Sequence, residues 1–353
     1  MAKSRLVLID PPDSDSFGKS GLGVYCRNVR GLLDDSEIPY QRIDMAYPET
    51  FSEGLRWVFS NLPGILSEIN KIEPGTTVHM AYEGFGFLLP FVRGKKVVTF
   101  HHLLNKDEKR ANGKWWYLVW RFSSKLAALL SDKIIAISPQ TRKELIEMLR
   151  VREDKIQVIL NKPVGIFNVS EDIERKRSIG FVGTLVPRKN VAALMRSFSE
   201  VLKMPGTSDI LLKICGKGPE IGALRELADS LGIADRVIFM SDLSAEDLMF
   251  FYNSISILAN PSLHEGFGNV TLEAQRCSTP VVFFKHADIP PEVMRAAIPC
   301  ADEKEFANTI HRLLTDAEYW STVSKEGKTY SDSFGEDYPK KMLDVYFGGD
   351  IKL

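Results

Sequence analysis

Short runs of β-branched and aliphatic residues recur along the chain, separated by longer stretches in which apolar residues return every three or four positions. The first kind of pattern predicts buried strands, the second amphipathic helices. Strands are expected at Leu6 to Ile9, Thr77 to Tyr82, Lys96 to Phe100, Lys133 to Ile137 and Lys155 to Leu160. Between them the pattern predicts helices at Val24 to Leu33, Leu62 to Lys71 and Pro139 to Leu149. From Gly165 to Arg177 the apolar pattern lapses into charged residues, and residues 167–177 read as a linker. The alternation then restarts with strands at Ile179 to Val182, Ile210 to Cys215, Val237 to Met240, Ile255 to Ala259 and Val281 to Phe284. Helices are expected at Val191 to Leu202, Gly222 to Leu231, Ala245 to Asn253, Val270 to Cys277 and Glu303 to Leu314, with an amphipathic segment at Asp337 to Phe347. Strand–helix alternation of this kind implies parallel sheets covered on both faces.

At 353 residues the chain exceeds one ordinary core, so two domains are expected. The predicted division is residues 1–166, the linker 167–177, residues 178–330, and a C-terminal segment 331–353 packing back on the first domain. Composition changes this picture little: 44% of residues are hydrophobic, 26% charged, and the net charge is −1. Near-neutrality removes the general basic footprint that nucleic-acid binding requires. Cys26, Cys215, Cys277 and Cys300 are scattered, which suggests neither a disulfide framework nor a zinc site. No apolar stretch approaches a membrane span, and a cytoplasmic location is the expectation.

Chemistry concentrates in Asn260-Pro261-Ser262-Leu263-His264-Glu265-Gly266-Phe267-Gly268-Asn269-Val270-Thr271-Leu272-Glu273-Ala274. A buried strand runs into a glycine-flanked loop, and a helix begins after it. Amides at Gly266 to Asn269, aided by the helix dipole, suit an anion. Two carboxylates, Glu265 and Glu273, bracket that site with seven residues between them. Acids beside a phosphate pocket are costly unless they bind something else, and sugar hydroxyls are the natural candidates. The bland alternative is an exposed helix residue at Glu273 and a dipole-favoured carboxylate at Glu265.

With Phe181-Val182-Gly183-Thr184-Leu185-Val186-Pro187-Arg188-Lys189-Asn190, Cys215-Gly216-Lys217-Gly218 and Ser278-Thr279-Pro280-Val281-Val282, this stretch resembles the large retaining glycosyltransferase family known as family four. The resemblance runs from Leu6 to about Tyr346. It implies an α/β chain of two doubly wound, Rossmann-like domains facing across a cleft, the GT-B fold. It also implies a hexosyl transfer from a nucleotide-diphosphate sugar to an acceptor hydroxyl, in polysaccharide or glycolipid synthesis. Glu265 would then contact the donor sugar and Glu273 the ribose, with Gly266, Phe267, Gly268 and Asn269 also in the donor site. Arg188 and Lys189 would hold the diphosphate, with Asn190 capping the helix that follows.

The resemblance places a histidine near the reacting face of the sugar, and His101 matches it. His102 stands where the family has an aspartate, and Thr184 where it often has an arginine. Gly21 and Gly23 fall where the family's glycines approach the diphosphate. Gly18-Lys19-Ser20 ends like a P-loop, but Asp13 replaces the leading glycine and Asp15 adds further negative charge to the nest, so that reading fails. The one Asp-x-Asp triplet, Asp13-Ser14-Asp15, is the acidic pair of that same first loop, and no metal or other cofactor is expected; leaving-group stabilisation would fall to the cations.

One segment stands apart. Lys106 to Lys125 interleaves six basic residues with Trp115, Trp116, Tyr117, Trp120 and Phe122, opposed by Asp107 and Glu108 alone. It reads either as a core helix with solvated charges or as a weak peripheral contact with an anionic membrane that carries a lipid-linked acceptor. Two other functions use the same scaffold: a sugar-nucleotide epimerase-like enzyme, which needs no acceptor, and a catalytically silent accessory subunit.

Overall fold

The computed structural model describes residues 6–12, 21–45, 51–101, 103, 114–163 and 165–348, without side chains for 51–59 and 114–116. The chain forms two compact units, residues 1–162 with 335–353 and residues 163–334. In the first unit six parallel strands lie in the order β2-β1-β3-β4-β5-β6. These are β1 (Leu6–Asp10), β2 (Tyr40–Asp44), β3 (Thr77–Met80), β4 (Lys95–Phe100), β5 (Lys133–Ala136) and β6 (Ile156–Val158). The helices are α1 (Gly21–Asp35), α2 (Phe51–Asn70), α3 (Lys114–Leu130) and α4 (Pro139–Leu149).

All of β1 is buried, as expected of a parallel strand covered on both faces. Its last residue, the fully buried Asp10, accepts from Arg30 and from Arg42 Nε at 2.8 Å, which fixes the chain where it leaves the sheet. Helix α4 starts where the sequence says it should. Pro139 takes the first helical position, and Ser138 Oγ accepts from Thr141 N at 3.1 Å.

The second unit has the order β12-β11-β10-β7-β8-β9, again all parallel. Its strands are β7 (Lys176–Val182), β8 (Leu211–Cys215), β9 (Val237–Met240), β10 (Ile255–Asn260), β11 (Val281–Phe284) and β12 (Ile298–Cys300). They alternate with α5 (Val191–Val201), α6 (Ile221–Ser230), α7 (Ala245–Ser254), α8 (Asn269–Arg276), α9 (Pro291–Met294), α10 (Glu303–Thr315) and α11 (Ala317–Ser333). Chain order runs outward from β7 through β8 to β9, then returns to start again at β10. Strands β7 and β10 therefore flank the topological switch point, the place where doubly wound sheets bind ligands.

Residues 167–177 are not a free linker. Phe167 is buried edge-on to Tyr252, with ring centroids 5.7 Å apart. Arg175 donates to the backbone oxygens of Tyr252, Ile255 and Cys277 and to Thr279 Oγ1, and stacks on Trp320. A charged stretch is structured here because its arginine satisfies carbonyls that α7 and α8 leave open. The chain crosses back at Gly335, and α12 (Tyr338–Phe347) packs in the first unit. All four cysteines are free and buried.

Candidate active site

In the second unit, the loop after β7 and the loop after β10 are knitted together. Leu263 N donates to Arg188 O at 2.8 Å, Arg188 Nη1 to His264 O at 3.1 Å, and Asn190 Nδ2 to Pro261 O at 3.4 Å. Asn190 stands before α5 but does not cap it: it adopts a left-handed conformation (φ 51°), and its amide serves the neighbouring loop instead. Asparagine tolerates that conformation better than most residues. The loop after β8 closes on the same place. Gly183 N donates to Cys215 O at 3.0 Å, and Leu185 N to Lys217 O at 2.7 Å. A Cβ on Gly216 would lie 1.8 Å from Gly183 O, so only glycine lets these two backbones approach.

Glu265 is the centre of this cluster. One carboxylate oxygen accepts from Lys189 Nζ and from Ser262 Oγ at 2.7 Å; the other lies 3.3 Å from Arg188 Nη1. Burial alone would raise its pKa. The Lys189 ammonium, followed by Arg188 and the Ser262 hydroxyl, outweighs burial and holds the carboxyl below its ordinary range. The two cations are not equivalent: the Lys189 side chain is 9% exposed and that of Arg188 45%. A third segment braces the loop from behind. Glu265 N donates to Asp288 O at 3.0 Å, Asp288 N to Leu263 O at 2.8 Å, and His264 Nδ1 lies 2.9 Å from Asp288 Oδ2.

Eight residues on, Glu273 is buried within α8 and accepts from Tyr252 Oη at 2.9 Å. The exposed-helix reading of Glu273 is thereby excluded. Burial, and then the neighbouring carboxylate, raise the Tyr252 hydroxyl well above the ordinary tyrosine pKa, so it stays a donor. Gly268, left-handed at φ 94°, turns the chain into α8. Asn269 opens the helix with Oδ1 buried and without a hydrogen-bond partner among the described residues. Phe267 is buried edge-on to Phe334. Ser262, Tyr252 and Asp288 are additions to the set read from the sequence. Of these, only Ser262 had a local signal, three residues before its carboxylate.

In the first unit, His101 follows β4 and is buried. Its Nε2 lies 2.8 Å from Ala81 O, a pure acceptor, so that nitrogen carries hydrogen and a neutral ring keeps its lone pair on Nδ1. Tyr25 meets the ring edge-on at 4.9 Å. Gly21 and Gly23 open α1 rather than lying in a loop; Gly23 is buried there. His102, Lys106 to Arg110 and the Gly18-Lys19-Ser20 stretch lie outside the described residues. Within α3, Trp120 is buried, while Leu118, Val119, Phe122 and Leu129 are exposed.

A family model described as glycosyl transferases group 1 matches residues 166–330, and one described as glycosyltransferase family 4 matches residues 22–161. The chain is 32% identical over 186 residues to the D-inositol 3-phosphate glycosyltransferase of Salinispora tropica, a match covering 49% of this chain and 38% of that relative. It is 25% identical over 296 residues to the O-antigen chain mannosyltransferase RfbU of Salmonella typhimurium, covering 78% and 80%. The fold is shared with WaaG, a glycosyltransferase involved in lipopolysaccharide biosynthesis (TM-score 0.71, 16% identity, 98% of this chain and 100% of WaaG). It is shared equally with Anabaena HepE, whose structure was solved with UDP and glucose (TM-score 0.72, 16% identity, 96% and 98%).

Proposed function

We propose, on the premise that the chain belongs to the group 1 glycosyltransferases of GT-B fold, that it moves a hexosyl group from a nucleotide-diphosphate sugar to an acceptor hydroxyl with retention of configuration. The observation that carries this reading is the convergence of Arg188, Lys189 and Glu265 at the β7/β10 switch point, beside a helix N-terminus. Two cations against one carboxylate leave an excess positive charge, which suits a diphosphate.

Within that site the roles divide. Arg188, half-exposed, is the cation that meets the diphosphate and stabilises it as it leaves. Lys189, buried on Glu265, holds that carboxylate ionised and oriented toward the sugar hydroxyls. Gly266 and Gly268 leave room for the ligand, and the unpartnered Asn269 Oδ1 accepts a donor hydroxyl. Glu273, set by Tyr252, accepts from the ribose. His101 takes part in the transfer step. On this reading the protein's own cations supply the leaving-group stabilisation, and no cofactor is required.

A binding panel tests it. UDP-, GDP-, ADP- and dTDP-sugars are each added during thermal unfolding; one should raise the melting temperature, because a ligand that binds only the native state stabilises it. No shift with any of them would favour the silent accessory subunit. Product formed from the bound donor without an acceptor hydroxyl would favour the epimerase-like enzyme. Glu265→Gln should then keep donor binding measurable while abolishing transfer.

The exposed side of α3 supports a second reading, on location. No helix among the described residues is long and apolar enough to cross a membrane. Leu118, Phe122 and Leu129, at 44, 61 and 71% exposure, nevertheless share one face with the exposed Lys125, beside Arg121. Apolar and basic groups together suit the inner face of an anionic bilayer, where a lipid-linked acceptor of cell-surface polysaccharide synthesis would be met from the cytoplasm.

A further inference from the structure

One face of the first sheet buries polar residues among aliphatic ones such as Leu8, Val97 and Ile135. Residues of β3 and β4 alternate, with register His79 opposite Val97 and Met80 opposite Val98. Val78, Met80, Val98 and Phe100 go to the apolar core. Thr77, His79 and Thr99 go to the other face, and His101 follows them one step beyond the strand. Each is buried. An unpaired polar group there would cost about 1–3 kcal/mol. The partners come from α1 and from the C-terminal helix α12.

The connections form one chain of contacts. Tyr346 Oη lies 2.8 Å from His79 Nδ1, His79 Nε2 lies 2.8 Å from Thr99 Oγ1, and Thr99 Oγ1 lies 2.6 Å from Tyr25 Oη. The ring of Tyr25 then stands edge-on against His101, with the planes at 88°. The end of α12 is pinned to the sheet by Thr77 Oγ1 donating to Tyr346 O at 3.0 Å and Lys95 Nζ to Val345 O at 2.7 Å. A cation at those last carbonyls also complements the helix dipole. Burial lowers the pKa of His79 to about 3, with His101 adding to the effect, so its ring is neutral. A neutral imidazole presents one donor and one acceptor, so whichever role the Tyr346 hydroxyl takes at Nδ1 sets the opposite role for Nε2 at Thr99. A fully satisfied buried network of this kind specifies one arrangement.

We propose that Tyr346 is a positioning residue for His101, acting through His79, Thr99 and Tyr25, so that docking of the C-terminal helix sets the orientation of the imidazole. The proposal rests on the reading of His101 as part of the transfer site. Without the Tyr346 hydroxyl, His79 loses a buried partner and turns to recover one. Thr99 and Tyr25 then follow, and the ring packed on Tyr25 loses its support.

The test uses the full chain and the donor selected by the thermal panel, with release of nucleoside diphosphate to water as the readout. Tyr346→Phe and Tyr25→Phe should each lower kcat about tenfold, the scale of a small misplacement, with donor KM unchanged. In a His101→Ala background the same changes should have no further effect. The 15N ring shifts of His101 should also change in Tyr346→Phe, a readout independent of turnover. The proposal is overturned if the losses persist without His101, or if both phenylalanine variants turn over normally while His101→Ala does not. Normal turnover in His101→Ala itself would remove the reading on which the proposal rests, and the proposal with it. Should Tyr346→Phe fail to fold, Tyr25→Phe carries the comparison alone.

Discussion

Lys189 and Glu265 form a buried ion pair whose members come from two loops 76 residues apart in sequence, one after β7 and one after β10. Breaking a buried pair from one side strands the other charge, at a cost of about 3–5 kcal/mol. Glu265→Gln and Lys189→Met should therefore each lower the stability of the second unit by that amount in urea unfolding. The double substitution should cost clearly less than the two singles together, since neither charge is then stranded. Simple additivity would show that the two side chains do not depend on each other.

The pair also predicts what acid does. A carboxyl whose folded pKa lies below its unfolded value contributes stability that is fully present above the ordinary range, about 4.3. That contribution is lost as pH falls through the depressed value. His79 acts over a higher window. Neutral when folded until about pH 3, it takes up a proton in the unfolded chain below about 6.5, so stability falls on acidification by up to about 1.4 kcal/mol per pH unit between those values. Urea midpoints at pH 7, 5.5 and 4.5 should decline, and His79→Gln should flatten that slope. An equal slope in the variant would assign the effect elsewhere.

Glycine at 216 and 218 is a steric requirement. Added Cβ atoms would sit 1.8 Å from Gly183 O and 2.2 Å from Leu185 O, both backbone atoms with little freedom to move. Gly216→Ala and Gly218→Ala should each cost about 1–3 kcal/mol, and should loosen the loop that carries Arg188. Gly222, within α6 and with nothing within 4 Å, is the control. There alanine should stabilise by about 0.4–1 kcal/mol. Thermal melts of the three variants separate the cases.

How far the sequence could be read depended on how local each determinant is. The β7 and β10 strands announce themselves as aliphatic runs because both of their faces are buried, and the loops that follow them carry their own glycines and charges. The edge strand β2 is hidden because only Ile43 is buried in it, among Gln41, Arg42 and Asp44. Helix α11 is hidden for a related reason: its buried positions include Ser324, Gly327 and Ser331, small residues that carry no apolar signal. The site was legible in part. Glu265 and its cations lie in recognisable stretches, but their mutual pairing does not follow from either one. The Tyr346–His79 contact spans 267 residues and the Tyr25–Thr99 contact 74, so no local pattern could show them.

Tyr252 is the residue whose role is least visible in the sequence and simplest to test. Its hydroxyl donates to Glu273, and Tyr252→Phe removes that bond while keeping the ring. Loss of a donor to a buried carboxylate should cost about 1–3 kcal/mol. The thermal shift given by the bound nucleotide sugar should shrink as well, because the carboxylate assigned to the ribose loses the donor that Tyr252 supplies. A stable variant with an undiminished shift would separate Glu273 from donor binding.

The exposed face of α3 makes a prediction in which charge and apolar area can be told apart. Phe122→Ser with Leu129→Ser removes apolar surface without changing charge; Arg121→Glu with Lys125→Glu reverses charge without touching the apolar residues. In sedimentation with vesicles of phosphatidylcholine and phosphatidylglycerol, the native chain should bind, and should bind less as salt screens the anionic surface. The charge variant should lose binding at low salt, each basic residue near such a surface contributing about 1 kcal/mol. The apolar variant should keep the initial attraction but dissociate more readily, since burial of apolar area is insensitive to that screening. Binding equal to that of vesicles made of phosphatidylcholine alone, or none at all, would leave α3 a solvated helix with an unusually apolar outer face.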